Sequence, residues 1–168
     1  MLFRSNKGQV AQIGAPLDVY RAPADAFVAR FLGNPPMNIV RAKQVDIHGQ
    51  RHAQVGGQAL SLARWQGASL GGVDEVLLGV RPEELSLGTP STGDMASLQG
   101  TVCGVEPLGA ETLVMVELDG NAGTVTARLH RDTSVRMGDA VSLTCTPQAL
   151  YLFDATSEKA IAATDNPA

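Results

Sequence analysis

At 168 residues the chain is long enough for one domain with a full core, or for one domain plus a fragment of another. Hydrophobic residues make up 44% and charged residues 18%, and the 18 glycines and 9 prolines favour many tight turns over long helices, so the expected class is mostly β. A formal net charge of −4 removes the electrostatic reason to expect nucleic acid as a partner, and no apolar run approaches the roughly 20 residues of a membrane-spanning helix.

Residues 9–13 alternate polar and apolar up to Gly14 and predict a short strand. Pro16 then suits the first turn of a short helix, where its missing N–H costs nothing. Over 23–32, Phe27 with Phe31 and Val28 with Leu32 stand four apart, which is the apolar face of a second helix. Gly33 ends it, because glycine is the usual residue past a helix end, and Pro35-Pro36 cannot continue it. From Ile39 onward the period is no longer helical, so the stretch Gly33-Asn34-Pro35-Pro36-Met37-Asn38 marks a domain boundary.

A strand is expected over 40–47, followed by runs at 51–55 and 58–62 around Gly56-Gly57. Such a glycine pair favours a tight hairpin, since the primed turns need positive φ. The alternation at 76–80 stops at Arg81-Pro82, where a strand must end or lie at an edge. Residues 89–94 read as loop. Strands follow at 98–105, 112–118, 124–129 and 140–146, parted by turn sequences such as Asp119-Gly120-Asn121 and Met137-Gly138-Asp139. Within 124–129, Val125, Ala127 and Leu129 point one way and Thr124, Thr126 and Arg128 the other, which predicts one buried face and one wet face. Leu150-Tyr151-Leu152-Phe153 supplies a last strand, and the small and polar tail from Ala155 is expected to fray. Short strands at this spacing predict a barrel or sandwich.

The residues with chemical potential read mostly as structural. His48 and His52 stand four apart, yet Gly49 and the hairpin context deny them a helix, and zinc needs further ligands that are not near in sequence. Glu83 and Glu84 follow Arg81-Pro82, and Glu106 and Glu111 bracket Pro107-Leu108-Gly109. Paired carboxylates do acid–base work when a pocket drives their pKa values apart, whereas glutamates at strand ends are more often solvated or capping groups. Cys103 and Cys145 both fall in strand-like segments and are expected to be buried free thiols, with a disulfide between them as the alternative. The sequence holds no Gly-x-x-x-x-Gly-Lys-Ser/Thr loop, no Gly-x-Ser-x-Gly elbow and no cysteine pair at zinc spacing, so neither a catalytic residue nor a cofactor or metal site is expected in it. An oligonucleotide-binding surface is disfavoured by the 4% aromatic content, because bases need aromatic faces to stack on.

A family resemblance runs through several separate segments. Asn6-Lys7-Gly8-Gln9-Val10-Ala11-Gln12-Ile13-Gly14-Ala15-Pro16-Leu17-Asp18-Val19-Tyr20, then Arg21-Ala22-Pro23-Ala24 and 27–38, resemble the end of the nucleotide-binding domain in ABC importer ATPases. The likeness is to the carbohydrate group, which powers uptake of maltose, multiple sugars and glycerol-3-phosphate. Leu78-Gly79-Val80-Arg81-Pro82-Glu83-Glu84-Leu85 and Val105-Glu106-Pro107-Leu108-Gly109-Ala110-Glu111-Thr112 resemble the two signature segments of the regulatory domain that follows in that family.

The resemblance implies an oligonucleotide-binding-like β-barrel domain of the TOBE type over 36–154. A strand–helix–helix remnant of the ATPase domain over 1–35 precedes it, and a flexible tail over 155–168 follows. It further implies a regulatory and dimerisation role, with partners in a second copy, in the ATPase domain of the parent subunit and, indirectly, in the membrane permease subunits. The expected location is cytoplasmic, peripheral to the inner face of the plasma membrane. Arg81, Glu83, Glu106 and Glu111 are the polar members of the two signature segments and so the candidate inter-domain or dimer contacts, with strand-end capping as the competing reading. In the family the Walker A loop, the signature motif, the Walker B acid and the switch histidine precede the position matched by Asn6, and 1–5 do not match the strand found there. ATP and Mg are therefore expected in the parent subunit and not in this chain. The alternative reading is a small-oxyanion-binding β module, since related β domains bind oxyanions such as molybdate.

Overall fold

Strands β1 (Leu2–Asn6) and β2 (Gln9–Gly14) open the computed structural model, which describes residues 2–6, 9–68, 74–90 and 95–164. They pair antiparallel, so 2–6 form a strand although the residues there do not match the family pattern. Pairing with the alternating β2 supplies what the local sequence lacks. Helix α1 (Pro16–Arg21) follows with Pro16 in its first turn. Helix α2 (Ala26–Phe31) is shorter than the expected 23–32, because Asp25 stands at its N-cap and accepts the Val28 N–H at 2.8 Å. Past its end Gly33 takes φ +109°, a conformation that residues with a Cβ rarely adopt.

The β region runs through β3 (Asn38–Ile47), β4 (Gln50–Val55), β5 (Gln58–Ser61), β6 (Glu75–Val80), β7 (Ser86–Leu87), β8 (Ala96–Pro107), β9 (Glu111–Leu118), β10 (Thr124–His130), β11 (Ala140–Cys145) and β12 (Leu150–Asp154). The hairpin expected at Gly56-Gly57 joins β4 to β5, and Gly56 has φ +59°. His48 and Gly49 form the equally tight turn between β3 and β4, both with positive φ. Of the loop expected at 89–94, positions 91–94 lie outside the described residues.

Two five-stranded antiparallel sheets result, ordered β10-β9-β8-β11-β7 and β12-β6-β3-β4-β5. Their inward residues form one core, with Val40, Leu60, Leu78 and Leu152 from the second sheet against Leu98, Val116, Val125 and Leu143 from the first. Each such aliphatic side chain contributes about 2 kcal/mol on burial. Side-chain amides join the sheets where no backbone ladder does. Asn38 Nδ2 donates to Thr126 O and Asn38 Oδ1 accepts from Thr126 N, both at 2.8 Å, so one amide pairs with β10 as a neighbouring strand would. Gln58 Oε1 accepts the Gln99 N–H at 2.7 Å at another place along the closure.

β6 is buried from Val76 to Val80 because both its faces are covered. Val76, Leu78 and Val80 enter the core between the sheets, while Leu77 on the outer face joins a second cluster with Phe153, Met37, Ala26 and Ala29. Helix α2 therefore lies on the outside of the barrel. Gly79 lets Met37 into that layer, since a Cβ there would stand 2.7 Å from Met37 Sδ and 3.0 Å from Phe153 Cε2.

Two expectations are corrected here. Cys145 is buried and free, but Cys103 is free and exposed. Along β8 the inward set is Ala96, Leu98, Gly100 and Val102, so the period of two turns Cys103 outward. The segment expected to fray after Ala155 is instead hydrogen-bonded back onto the protein as far as Thr164. Ile161 N–H donates to Leu152 O at 2.8 Å, and Thr164 N–H donates to Arg64 O at 2.7 Å. The free edge of β12 offers unpaired backbone groups, and the small residues of the tail can reach them.

Candidate functional site at the seam of helix and barrel

The helical segment meets the barrel along a polar seam built by the first signature segment. β6 ends at Val80, and Pro82 begins a 3-10 turn over Pro82–Glu84 because it can follow Arg81 without needing an N–H partner. Arg81 is left extended between them, and its side chain passes into the helical layer with only 2% of its surface exposed. Nη1 donates to Leu32 O at 2.5 Å and to Ala29 O at 3.4 Å, and Nη2 donates to Tyr20 O at 2.6 Å. These acceptors include carbonyls at the C-terminal end of α2, groups that a helix cannot satisfy internally. The guanidinium also lies 3.6 Å from the centroid of the Tyr20 ring, a cation–π contact.

Tyr20 carries the seam outward. Its hydroxyl donates to Glu83 Oε1. Burial, and after it the hydrogen bond to Glu83, push the Tyr20 phenol up to about 12, against a smaller opposing effect of the Arg81 charge. A second polar chain crosses the junction from β10. Arg128 Nη2 donates to Asn34 O, and Arg128 Nε stands 3.4 Å from Glu111 Oε2. The face of β10 expected to be wet is therefore partly taken up by the seam, through Thr126 and Arg128.

The structure thus brings three of the four candidate residues to one junction within the chain. Arg81 touches the helical segment directly, Glu83 does so through Tyr20, and Glu111 does so through Arg128. Glu106 is separate. It is exposed on β8 and makes no side-chain hydrogen bond or ion pair among the described residues. Tyr20 and Arg128 were not singled out from the sequence. A lone arginine on the outer face of a threonine-bearing strand is the signal that marks Arg128.

This arrangement holds position. Its acceptors are mostly backbone carbonyls, and Glu83 and Glu84 are exposed without an enclosing pocket. His48 sits in a turn, and His52 Nδ1 lies 3.0 Å from Gln50 O. Among the described residues no group of three or more His, Cys, Asp or Glu is placed to hold a metal ion. An open cleft of about 560 Å³ between β3 and the turn before β10 carries Arg41 and Lys43, with Arg41 already paired to Glu75 at 3.3 Å.

Comparison with known proteins places this geometry. Residues 78–153 match the TOBE domain, from β6 to β12, a span that contains all four candidate residues. The sn-glycerol-3-phosphate import ATP-binding protein UgpC of Cupriavidus metallidurans is 37% identical over 163 residues, covering 94% of this chain and 43% of that protein. The sulfoquinovosyl glycerol transport ATP-binding protein SmoE of Agrobacterium fabrum is 35% identical, covering 92% and 41%. The alpha-glucoside transport ATP-binding protein AglK of Rhizobium meliloti is 36% identical, covering 90% and 41%. The chain therefore spans about two-fifths of the length of these relatives. Among solved structures, the cytoplasmic molybdate-binding protein ModG superposes with a TM-score of 0.51 at 19% identity, over 68% of this chain and 94% of that one, which is a likeness of fold. Residues 78–153 thus match the TOBE domain, and over most of its length the chain is similar to ATP-binding subunits of carbohydrate-type ABC importers.

Proposed function

We propose that the chain is the regulatory and dimerisation portion of an ATP-binding subunit that serves an ABC importer of carbohydrates or glycerol-3-phosphate. The observation that carries this reading is the alignment of more than nine-tenths of the chain, at 37% identity, with an import ATP-binding protein. In this reading ATP and Mg are bound by the parent subunit, which couples hydrolysis to transport through membrane permease subunits at the inner face of the plasma membrane. The barrel contributes contacts that differ between the open and closed states, which is what coupling requires. Its link to the parent ATPase domain is the seam at Arg81, Tyr20 and Glu83.

A two-fold contact between copies uses the same patch on both partners. Glu83 and Glu111 are engaged inside the chain, whereas Glu106 and the neighbouring Leu108, 49% exposed at the tip of the β8–β9 hairpin, are exposed members of the second signature segment and the surface offered to a second copy. Sedimentation across a concentration series tests this. Weak self-association is expected, reduced by Glu106→Lys with the melting temperature unchanged. A strictly monomeric chain at high concentration overturns the dimer, and loss of melting without loss of association assigns Glu106 to folding. The chain alone is expected to release no phosphate from ATP. A melting shift on addition of molybdate, which must occur if the native state binds it, favours the oxyanion-binding alternative.

A further inference from the structure

Residues 154–161 touch two elements at once. Asp154 Oδ1 accepts from Thr156 N at 3.1 Å, from Ser157 N at 2.6 Å and from Ser157 Oγ at 2.8 Å, which turns the chain back beside β12. Glu158 completes the turn at φ +58°, a left-handed conformation that is strained for a residue with a Cβ. The returning segment then pairs on both sides. Toward β12, Asp154 N–H donates to Lys159 O and Ile161 N–H to Leu152 O. Toward the start of α2, Ala26 N–H donates to Glu158 O at 2.9 Å and Ala160 N–H to Ala24 O at 2.9 Å. Single bridges pair Asp25 with Lys159 and Phe153 with Ala160, so this segment is the middle rung between the barrel edge and the helical segment. Arg30 of α2 adds an exposed ion pair to Glu158 at 3.2 Å.

We propose that 154–161 form a clasp that makes α2 and the barrel one rigid body, so that the junction over 33–37 is not a hinge, and that opening the clasp releases α2 without unfolding the barrel. The helix is held at both ends. Its first N–H groups lack intrahelical partners, and the clasp takes one of them, while Arg81 takes carbonyls at the other end. Between these ends Ala26 and Ala29 are fully buried against Leu77 and Phe153. The clasp rests on few backbone bonds and contains a strained residue, so it is the part of this assembly that opens first. The clasp follows from contacts within the chain, whatever the chain's function. Combined with the transport reading, it means that motion of the preceding ATPase region reaches the barrel undiminished when the clasp is shut.

Amide hydrogen exchange on the full chain tests this by comparing Ala29 and Leu32, whose N–H groups are bonded within α2, with Val114 and Val116 in β9. Two variants open the clasp from different atoms. Ala160→Pro removes the N–H that bonds Ala24, and Lys159→Pro drives Glu158 out of its left-handed turn. Ala162→Pro is the control, on an exposed residue past the pairing. In the unaltered protein Ala29 and Leu32 are expected to exchange at least a hundredfold more slowly than unprotected amides, though faster than Val114 and Val116. Both clasp variants are expected to accelerate Ala29 and Leu32 at least tenfold and leave Val114 and Val116 alone, and the control is expected to change neither pair. Ala29 and Leu32 exchanging as unprotected amides in the unaltered protein, or holding their rate in both variants, overturns the clasp. So does acceleration of Val114 and Val116 in step with them.

Discussion

The two faces of β6 and β12 set two kinds of burial side by side. On the inner face Leu78 and Leu152 join hydrophobic residues from both sheets. On the outer face Leu77 and Phe153 meet Ala26, Ala29 and Met37, a smaller cluster than the one inside. There the fit comes from Arg81, whose planar fork reaches carbonyls of two helices. Hydrophobic burial is non-directional and scales with area, so the inner face sets stability. Hydrogen bonds to a buried charge demand geometry, so the seam sets the position of α1 and α2.

The largest effect tests the inner face. Leu143→Ala, at a fully buried position, should lower the unfolding free energy by about 3 kcal/mol, seen as a shifted urea midpoint common to all probes. A loss confined to one region would break the claim that the sheets share a single core. Next comes the seam. Arg81→Met should cost about 2 kcal/mol by leaving buried carbonyls unsatisfied, and the loss should appear first as faster exchange at Ala29 and Leu32. Arg81→Lys should not restore it, because one ammonium cannot match the fork. Full rescue by lysine would mean that charge and not geometry is what the seam needs.

A smaller effect separates the two regions by pH. Burial and the Glu83 hydrogen bond push the Tyr20 phenol up to about 12, and burial pushes the Cys145 thiol up to about 11. Both groups hold their proton more tightly in the folded chain. Their contribution is therefore complete below the unfolded values of roughly 8.5 for Cys and 10 for Tyr, and is lost as pH rises through the folded ones. Denaturation curves should show stability falling above pH ~9, first through the core and then through the seam. Tyr20→Phe should flatten only the later part, and an unchanged curve would show that the phenol does not report on the seam. The smallest effect belongs to the half-buried pair of Arg128 and Glu111. Glu111→Gln should cost about 0.2–1 kcal/mol in a thermal melt, and a larger loss would place that pair among the main supports of the junction.

Legibility in the sequence follows the range of the interaction. The hairpin at Gly56-Gly57, the helix ending at Gly33 and the strand ending before Pro82 are readable because each depends on residues within a few positions of one another. The seam is readable only in part. Arg81 and Glu83 stand out as polar residues beside a strand end, but Tyr20 is 61 and 63 residues away from them in the chain, and no local pattern pairs them. Asn34 and Arg128 are 94 apart. The docking of the tail was hidden for a related reason, since the small and polar composition of a frayed end is also that of a segment bonded through its backbone.

By itself the sequence determined the class, most of the strands, both helices and the turns between them, because alternation, glycine and proline act through local sterics and hydrogen bonding. Tertiary structure alone decided that β6 lies between β12 and β3, that α2 covers the outer face of that sheet, that Cys103 points out, and that 154–161 return to bridge helix and barrel. Each of these depends on which distant backbone edge or apolar face is left open once the local elements have formed, and that is a property of the assembled sheets.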